Sequence, residues 1–254
     1  MSITMQRYNT DSLEDGISNG VDVNSIANRQ SQVSISSYSA TKIDGNFTGS
    51  NGVPNTIILN GIFDISAFTT TPKTLADLLS SNASLLINSY NQYEAGTLKE
   101  TFLSSSPVSL SSIVYSDTSL TNIQNFYSGN DVFYSSTNNT ISTNADLVYG
   151  YAGNDTYYDN HLLMTYNDFF YGGSGSGTDT AVLPGKYASY KINAGPVWDN
   201  IKQNSNLIGF TIVDNTKTYN TLQINQVERI QFSDGILAHD FSQGNSGYNS
   251  AMMI

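Results

Sequence analysis

The chain contains no cysteine, five prolines and only 12% charged residues over a length of 254. Without cysteine it can form no disulfide, no thiolate zinc site and no cysteine nucleophile. No segment approaches the roughly 20 consecutive apolar residues that a membrane-spanning helix needs. Residues 1–16 also lack the apolar stretch of a secretory signal peptide, so we expect a cytosolic protein or export by a signal-independent route.

Basic residues are scarce as well, with 10 Lys and Arg against 21 Asp and Glu and a net charge of -11. This balance argues against binding DNA or RNA through the phosphates and makes cations the natural partners. An acidic surface that merely keeps the protein soluble would explain any single exposed carboxylate. That explanation weakens where acidic residues recur at a regular spacing.

The residues that are abundant are Ser, Thr, Asn, 17 Tyr and 20 Gly, and hydrophobic residues make up 39% of the chain. The apolar fraction is sufficient for a buried core. The polar residues favour strands and tight turns over long helices. The composition therefore predicts a mostly all-β fold.

Composition and pattern divide the chain into four segments. The first is polar and has one short alternating stretch at 33–40, and the second has the alternation typical of strands. The third is repetitive, and the fourth contains further strand patterns. The segments are an extended N-terminal arm at 1–40, a strand-rich domain at 41–125, a repeat region at 126–183 and a C-terminal β cap at 184–254.

The second segment predicts a small β domain with one helix. Residues 56–68 form one bent strand or two short strands around Gly61, residues 84–103 form a hairpin that turns at 94–96, and residues 111–116 form a further strand. Thr74 followed three residues later by Asp77 resembles a capping box, which predicts a helix over 74–79.

The third segment is a degenerate tandem repeat of nine residues. Its clearest copy is GYAGNDTYY at 150–158, and ISTNADLVY at 141–149 precedes it without a gap. Further copies start at 126 and 163, and GGSGSGTDTAV follows from Gly172 with two extra residues in its loop. Each copy carries one aspartate at the equivalent position: Asp131, Asp146, Asp155, Asp168 and Asp179.

This spacing has a chemical consequence for metal binding. A glycine-rich half-turn can curl so that carbonyl oxygens point inward, and an aspartate adds a charged oxygen beside them. Calcium takes six to eight oxygen ligands in a tolerant geometry. An apolar residue two places after the aspartate would point into the core of the stacked turns, as at Phe133, Val148, Tyr157 and Phe170.

The repeat resembles that of the RTX (repeats-in-toxin) proteins, whose nonapeptide Gly-Gly-x-Gly-x-Asp-x-apolar-x builds a calcium-loaded parallel β-roll. Residues 186–192 and 225–241, the latter containing VERIQFSDG, resemble the strands that follow such repeats. The resemblance implies Ca²⁺ as the bound ion and the five repeat aspartates as its side-chain ligands. It also implies carbonyl ligands from Gly129, Gly150, Gly153, Gly172, Gly173 and Gly175.

The repeat departs from the family pattern at several positions. Asn144 and Tyr166 replace the glycine at the fourth position, and insertions at 135–140 and 159–162 interrupt the stack. These two turns are expected to be weak or empty sites. A calcium-free solenoid or sandwich, in which the aspartates and asparagines only form turns, remains an alternative.

The resemblance also implies a location and a route. RTX proteins leave Gram-negative cells by type I secretion with an uncleaved C-terminal signal, which makes residues 241–254 a candidate signal. The chain would then be secreted and reside outside the cell or on its surface. Calcium would couple location to folding, because an ion that binds only the native state stabilises it.

Catalytic motifs are missing from the sequence. The chain has two histidines, His161 and His239, and no H-E-x-x-H zinc motif. The glycine run at 172–177 lacks the Lys and Ser or Thr of a phosphate-binding loop, and no nucleophile elbow occurs in a plausible context. The protein is therefore not expected to be an enzyme.

Three functions remain open from the sequence. The preferred one is a structural surface protein, an S-layer or fibre subunit that assembles with copies of itself in calcium. The second is an adhesin or carbohydrate-binding module with a cell-surface glycan as partner, which a cluster of exposed aromatic residues would favour. The third is a secreted hydrolase with an unrecognised site.

Overall fold

A computed structural model describes the protein at residues 3–7, 31–48, 52–81, 83–114, 127–135, 147–160, 167–173, 177–199, 204–217, 221–239 and 250–253. These ranges contain seventeen strands and two short α-helices, so the fold is mostly all-β, as the sequence predicts. The first strand, β1, spans Ile3–Arg7. No helix of these ranges has the length and apolar character needed to cross a membrane. One compact unit contains residues 19–126 and another contains residues 127–254.

The first unit contains an antiparallel sheet in which successive strands are neighbours. Its strands are β2 (Ser34–Tyr38), β3 (Lys42–Thr48), β4 (Pro54–Phe63), β5 (Leu85–Glu94) and β6 (Thr97–Ser109). Side chains alternate between the two faces, and the inner face buries Ile43, Ile57, Leu59, Ile87 and Phe102. The sheet begins at Ser34, inside the segment described above as an extended arm.

Two features of this sheet confirm the sequence predictions. β4 is one continuous strand, and its pairing with β5 is irregular between Asn60 and Gly61. A Cβ atom on Gly61 would collide with the carbonyl oxygen of Leu86, which explains why glycine stands at this bend. The predicted hairpin turns at Ala95 and Gly96, which have φ angles of 47° and 80°.

The first helix, α1 (Leu75–Ser80), begins at the predicted capping box. The Thr74 hydroxyl accepts the backbone N–H of Asp77 at 3.2 Å, and the Asp77 carboxylate accepts the backbone N–H of Thr74 at 2.9 Å. Leu75 and Leu78 are buried on one face of the helix. The predicted helix is therefore confirmed together with its cap.

The second helix corrects one prediction, because the strand expected at 111–116 is wrong. Residues Leu110–Val114 form the short helix α2, and residues 115–116 lie outside the described ranges. The Ser109 hydroxyl accepts the backbone N–H of Ser112 at 3.1 Å, which satisfies one free donor of the first turn. Leu110 and Val114, four positions apart, are both buried on the same face.

The second unit contains a parallel β-roll in which consecutive strands alternate between two sheets. In the first sheet β7, β9, β11 and β15 pair in parallel, and in the second sheet β8, β10 and β14 do so. The strands are β7 (Val132–Tyr134), β8 (Leu147–Tyr149), β9 (Thr156–Tyr158), β10 (Asp168–Tyr171), β11 (Thr180–Val182), β14 (Thr221–Asn225) and β15 (Arg229–Phe232).

One full turn of the roll takes 24 residues in the first sheet, where Thr156 pairs with both Val132 and Thr180. Each full turn therefore contains two nine-residue copies and six inserted residues. The two turns have the same length, because the insertions in them add up to the same number. The four residues predicted to face the core are buried, with exposed fractions between 0% and 3%: Phe133, Val148, Tyr157 and Phe170. This part of the prediction is confirmed.

Antiparallel strands extend both sheets of the roll. A hairpin of β12 (Tyr190–Asp199) and β13 (Asn204–Asp214) lies in sequence between β11 and β14 and joins the second sheet. The first sheet continues with β16 (Gly235–His239) and β17 (Ser250–Met253). The strand expected from residue 186 begins at Tyr190, because Tyr187–Ser189 form a 3-10 turn. The roll itself continues past residue 183 through β14 and β15.

Candidate metal centre

Four loops stack along one edge of the roll, where the chain enters the strands of the first sheet. We call them the first to fourth edge loops, at residues 127–131, 150–155, 172–179 and 226–228, and the third is described at 172–173 and 177–179. They lead into β7, β9, β11 and β15. The last residue of each loop is acidic: Asp131, Asp155, Asp179 and Glu228.

These acidic residues form a ladder of carboxylates along the edge. The backbone N–H of Asp131 donates to Asp155 Oδ1 at 2.8 Å, and the backbone N–H of Asp155 donates to Asp179 Oδ1 at 2.8 Å. The backbone N–H of Asp179 donates to Glu228 Oε2 at 2.7 Å. The carboxylates of Asp155, Asp179 and Glu228 are therefore each fixed by the loop before them, and charge-assisted bonds of this kind are stronger than neutral ones.

A second ladder runs beside the first, one residue earlier in each loop. The backbone N–H of Asn154 donates to Asn130 Oδ1 at 2.8 Å, and that of Thr178 donates to Asn154 Oδ1 at 2.7 Å. The two ladders link neighbouring loops through hydrogen bonds between protein groups. Asn130 and Asn154 therefore link neighbouring loops, beyond the turn-forming role that the sequence suggests for asparagine.

The three aspartates of the carboxylate ladder are buried, and Glu228 is half-buried. Asp131, Asp155 and Asp179 are between 0% and 3% exposed. Asp155 Oδ2 is enclosed and accepts no hydrogen bond from any described residue. Leaving a carboxylate oxygen buried in this way is costly unless a cation or a proton compensates its charge.

Burial also changes the acidity of the ladder. Burial raises the pKa of Asp155 to about 8, and the charges of Asp179 and Asp131 add to the rise. The hydrogen bond from the Asp131 N–H lowers this pKa but does not offset the burial. Burial likewise raises the pKa of Asp179 to about 7, and the charge of Glu228 adds to the rise. The hydrogen bond from the Asp155 N–H acts in the opposite direction and is outweighed. Without an ion, these carboxyl groups hold protons close to neutral pH.

Glycines leave room for oxygen atoms between the loops. A Cβ atom on Gly150 would collide with Asp155 Oδ2 and would lie 2.6 Å from the carbonyl oxygen of Gly172 in the next loop. A Cβ atom on Gly172 would likewise collide with Asp179 Oδ2 and with the carbonyl oxygen of Gln226. The same arrangement of one carboxylate oxygen and one carbonyl oxygen therefore occurs twice.

Two further glycines allow the loops to approach closely. Gly153 has a φ angle of 125°, and a Cβ atom on it would collide with the carbonyl oxygen of Gly129. Gly173 has a φ angle of 123°, and a Cβ atom on it would collide with the carbonyl oxygen of Tyr151. Residues other than glycine rarely adopt such angles.

The structure brings together three of the five predicted aspartates, Asp131, Asp155 and Asp179. Asp168 begins β10 in the second sheet and is buried, where its Oδ2 accepts a hydrogen bond from the Tyr157 hydroxyl at 3.4 Å. It belongs to the opposite edge of the roll, away from the ladder. Of the predicted glycines, Gly129, Gly150, Gly153, Gly172 and Gly173 lie in the edge loops. Asp146 and Gly175 lie outside the described residues.

Sequence reasoning missed Glu228 as the fourth rung. A signal for it was present, because each rung is an acidic residue followed by x-apolar-x, as in DVFY, DTYY, DTAV and ERIQ. It also missed the carbonyl oxygens of Tyr151 and Gln226. Those residues have positive φ angles of 66° and 53°.

The donors at this edge suit a hard cation. They are carboxylate and backbone carbonyl oxygens, which are the ligands that Ca²⁺ prefers, whereas zinc and copper favour nitrogen and sulfur. In the described part of the chain no group of three or more His, Cys, Asp or Glu side chains has the arrangement of a metal cluster.

Comparison of the sequence with protein-family models and with curated proteins finds no match.

The raised pKa values predict how the calcium-free protein responds to pH. The folded values of about 8 for Asp155 and about 7 for Asp179 exceed the ordinary value of 3.8, so the folded state binds more protons than the unfolded chain between these limits. The free energy of unfolding should therefore fall as the pH rises from about 4 to about 8.

Urea unfolding in excess chelator at pH 5, 6.5 and 8.5 measures this dependence. Saturating calcium serves as the control, because the ion binds the deprotonated carboxylates and should remove or reverse the fall. A chelated protein whose stability stays constant or rises over this range would contradict the assignment of buried, protonated carboxyl groups.

Proposed function

We propose that this chain is an RTX-type calcium-binding structural protein, secreted by a Gram-negative bacterium, that assembles with copies of itself at the cell surface. Calcium would drive both its folding and its assembly. The observation that carries the proposal is the buried carboxylate ladder, in which Asp155 Oδ2 faces a carbonyl oxygen of the next loop and accepts no hydrogen bond from the described residues.

The ladder supports a role of the ion in folding. When ionised, the buried carboxylate of Asp155 is repelled by those of Asp131 and Asp179, and the carboxylate of Asp179 is repelled by Glu228. A divalent cation between the loops would neutralise these charges and turn the repulsion into attraction to the ion. Because such sites do not exist in the unfolded chain, binding would stabilise the folded roll by mass action.

The composition and surface of the first unit support assembly over the alternatives. Exposed aliphatic side chains on its strands, Ile62 at 58% and Leu103 at 52%, offer contact area to another protein. The exposed large apolar residues of the described part of this unit are aliphatic, whereas a carbohydrate-binding surface would favour aromatic ones. Low charge and many Tyr, Thr and Asn residues suit an extended protein contact.

The proposed location follows from the RTX resemblance. A low calcium level inside the cell would leave the carboxylate edge without its ion and therefore less stable, until export brings the protein to the higher level outside. The lack of cysteine is compatible with an oxidising extracellular environment.

A calcium titration followed by circular dichroism and light scattering tests the proposal in one sample. We expect calcium to increase the β structure of the protein and then to produce large ordered particles, and a chelator to reverse both changes. Magnesium is the control ion, because its smaller octahedral shell fits carbonyl-rich loops poorly. Folding without particles would contradict assembly and favour a binding module, and no response to calcium would contradict the calcium-dependent roll.

A further inference from the structure

The strand β12 forms the outer edge of the second sheet in the described part of the chain. β13 pairs with it on one side, and no described strand pairs with it on the other. Residues 191–196 of this strand are all exposed or half-buried. An accessible strand edge of this kind presents N–H and C=O groups to which another strand can bind.

The register of the hairpin determines which backbone groups of β12 point outward. The carbonyl oxygen of Ser189 accepts the backbone N–H of Asn215 at 2.8 Å. Because hydrogen-bonded positions alternate along an antiparallel pair, the odd-numbered residues from 191 to 195 bond to β13. The N–H and C=O groups of the even-numbered residues from 190 to 196 therefore face away from β13.

Of these outward residues, Ile192 and Ala194 can both donate and accept a hydrogen bond. Neither of their N–H groups has an acceptor in the described part of the chain. Tyr190 donates its N–H to the carbonyl oxygen of Tyr187 in the preceding turn, and Pro196 has no N–H. The stretch that can bind another strand is therefore short and is bounded at both ends.

Exposed apolar side chains flank the same edge. In the described part of the second unit the exposed large apolar residues are Tyr187, at 39%, and Ile208, at 56%. Tyr187 precedes β12, and Ile208 pairs with Pro196 near the other end of the strand. Their position beside the unpaired backbone groups indicates a protein contact at this edge.

We infer that β12 binds β12 of a second copy of the chain, in antiparallel orientation and about a two-fold axis at Asn193. Ile192 of each copy then pairs with Ala194 of the other, through hydrogen bonds that use the N–H and C=O groups of both residues. The second sheet continues across the axis into the second copy. The inference rests on the proposed self-assembly and names one of its contacts.

The charges and apolar groups of the edge match a second copy as the partner. Lys191 lies opposite Gly195 of the other copy, so no like charges face each other, although each chain has a net charge of -11. Antiparallel pairing also brings Tyr187 of one copy and Ile208 of the other to the same end of the strands. The edge is thus complementary to itself, as a two-fold contact requires.

Asn193→Cys tests the pairing, because residue 193 faces its own copy across the axis and the chain has no other cysteine. Directly opposed residues at such non-hydrogen-bonded positions have Cα atoms about 4.5 Å apart, within the range of a disulfide. In calcium and under mild oxidation, at a concentration at which the wild type assembles, the full-length variant should form a disulfide-linked dimer on a non-reducing gel.

Gly195→Cys is the matched control on the same strand. A Cβ atom built at Gly195 meets nothing within 4 Å, so the side chain has room. Residue 195 lies opposite residue 191 of the other copy, which places its own counterpart about 13 Å away along the strands, too far for a disulfide. This variant should cross-link at least about tenfold more slowly than Asn193→Cys.

Ala194→Pro tests the hydrogen bonds, because it removes an outward N–H and leaves the bonds to β13 in place. Its circular dichroism in calcium should match the wild type, while light scattering from particles falls at least about tenfold. If proline disturbs the fold, the cysteine pair decides alone. A wild type that assembles while Asn193→Cys cross-links no faster than Gly195→Cys overturns the inference and leaves the proposed function standing. A wild type that stays monomeric in calcium overturns both, so the two failures are distinguishable.

Discussion

Replacing Asp155 with asparagine is expected to change stability in opposite directions with and without calcium. The variant should be less stable than the wild type in saturating calcium, because it lacks the charged oxygen that faces Gly172. One site saturated at about 100 times its dissociation constant contributes about 2.7 kcal/mol, and this is the loss expected when the site is abolished.

In chelator at pH 9 the same variant should be more stable than the wild type. The wild type carries a buried charge there, since the pH exceeds the pKa of about 8 at Asp155. Asparagine keeps an oxygen for the Asp131 N–H and can turn its NH₂ group toward the Gly172 carbonyl oxygen. Replacing an uncompensated buried charge by a hydrogen-bonded neutral group is stabilising.

Thermal melts of both proteins in calcium and in chelator measure this reversal of sign. Asp64→Asn is the control, because Asp64 is an exposed carboxylate of the first unit whose Oδ1 accepts the Ser66 hydroxyl. It should melt like the wild type in both buffers. Equal effects of Asp155→Asn with and without calcium would show that this carboxylate has no part in metal binding.

The second large effect is expected at Gly153, where Gly153→Ala should destabilise the roll whether or not calcium is present. Its φ angle of 125° costs a residue with a side chain on the order of 1–3 kcal/mol. The new methyl group would also collide with the carbonyl oxygen of Gly129, which is backbone and is held by the stack. We expect a total loss of about 3 kcal/mol or more.

Gly195→Ala in β12 is the matched control for this substitution. A Cβ atom built there meets nothing within 4 Å, and its backbone does not require glycine. Its effect should stay within about 1 kcal/mol, as for most substitutions that neither clash nor strain the backbone. Urea unfolding of the two variants compares them directly, and similar losses for both would mean that the close approach of the first and second loops is not important for stability.

The predictions from sequence succeeded where the signal is local. Thr74 and Asp77 lie three residues apart, and their reciprocal hydrogen bonds need nothing beyond one helical turn. The phase of the repeat likewise places Tyr157 and Phe170 inside the roll, because each follows its aspartate by two positions in an extended strand.

The predictions failed where distant contacts decide the structure. Residues 111–116 have strand propensity, but Leu110 and Val114 are buried where this segment packs against β5 and β6, and that packing favours a short helix. The role of Glu228 depends on a bond to Asp179 across 49 positions in sequence. The acidic-x-apolar-x pattern at Glu228 is local, but the intervening hairpin has no fixed length relation to the repeat, so the pattern alone does not show which residue Glu228 contacts.

The edge assignment of the aspartates is another result of three-dimensional topology. A nine-residue repeat places aspartates alternately at the two edges of a roll, so Asp155 and Asp168 are neighbours in the repeat and lie at opposite edges of the structure. The rungs of one ladder are 24 residues apart, and the repeat unit for the carboxylate edge is thus a full turn. An ion shared between two loops is therefore to be expected between aspartates one full turn apart, such as Asp155 and Asp179, and not between aspartates of adjacent nine-residue copies.

The most direct test of the account is a crystal structure of the protein grown in calcium, with anomalous difference density used to locate the ions. The account predicts a peak between the second and third edge loops, with Asp155 Oδ2 and the carbonyl oxygen of Gly172 at about 2.3–2.6 Å from the ion. Stacked loops with no ion at that position in saturating calcium would contradict it.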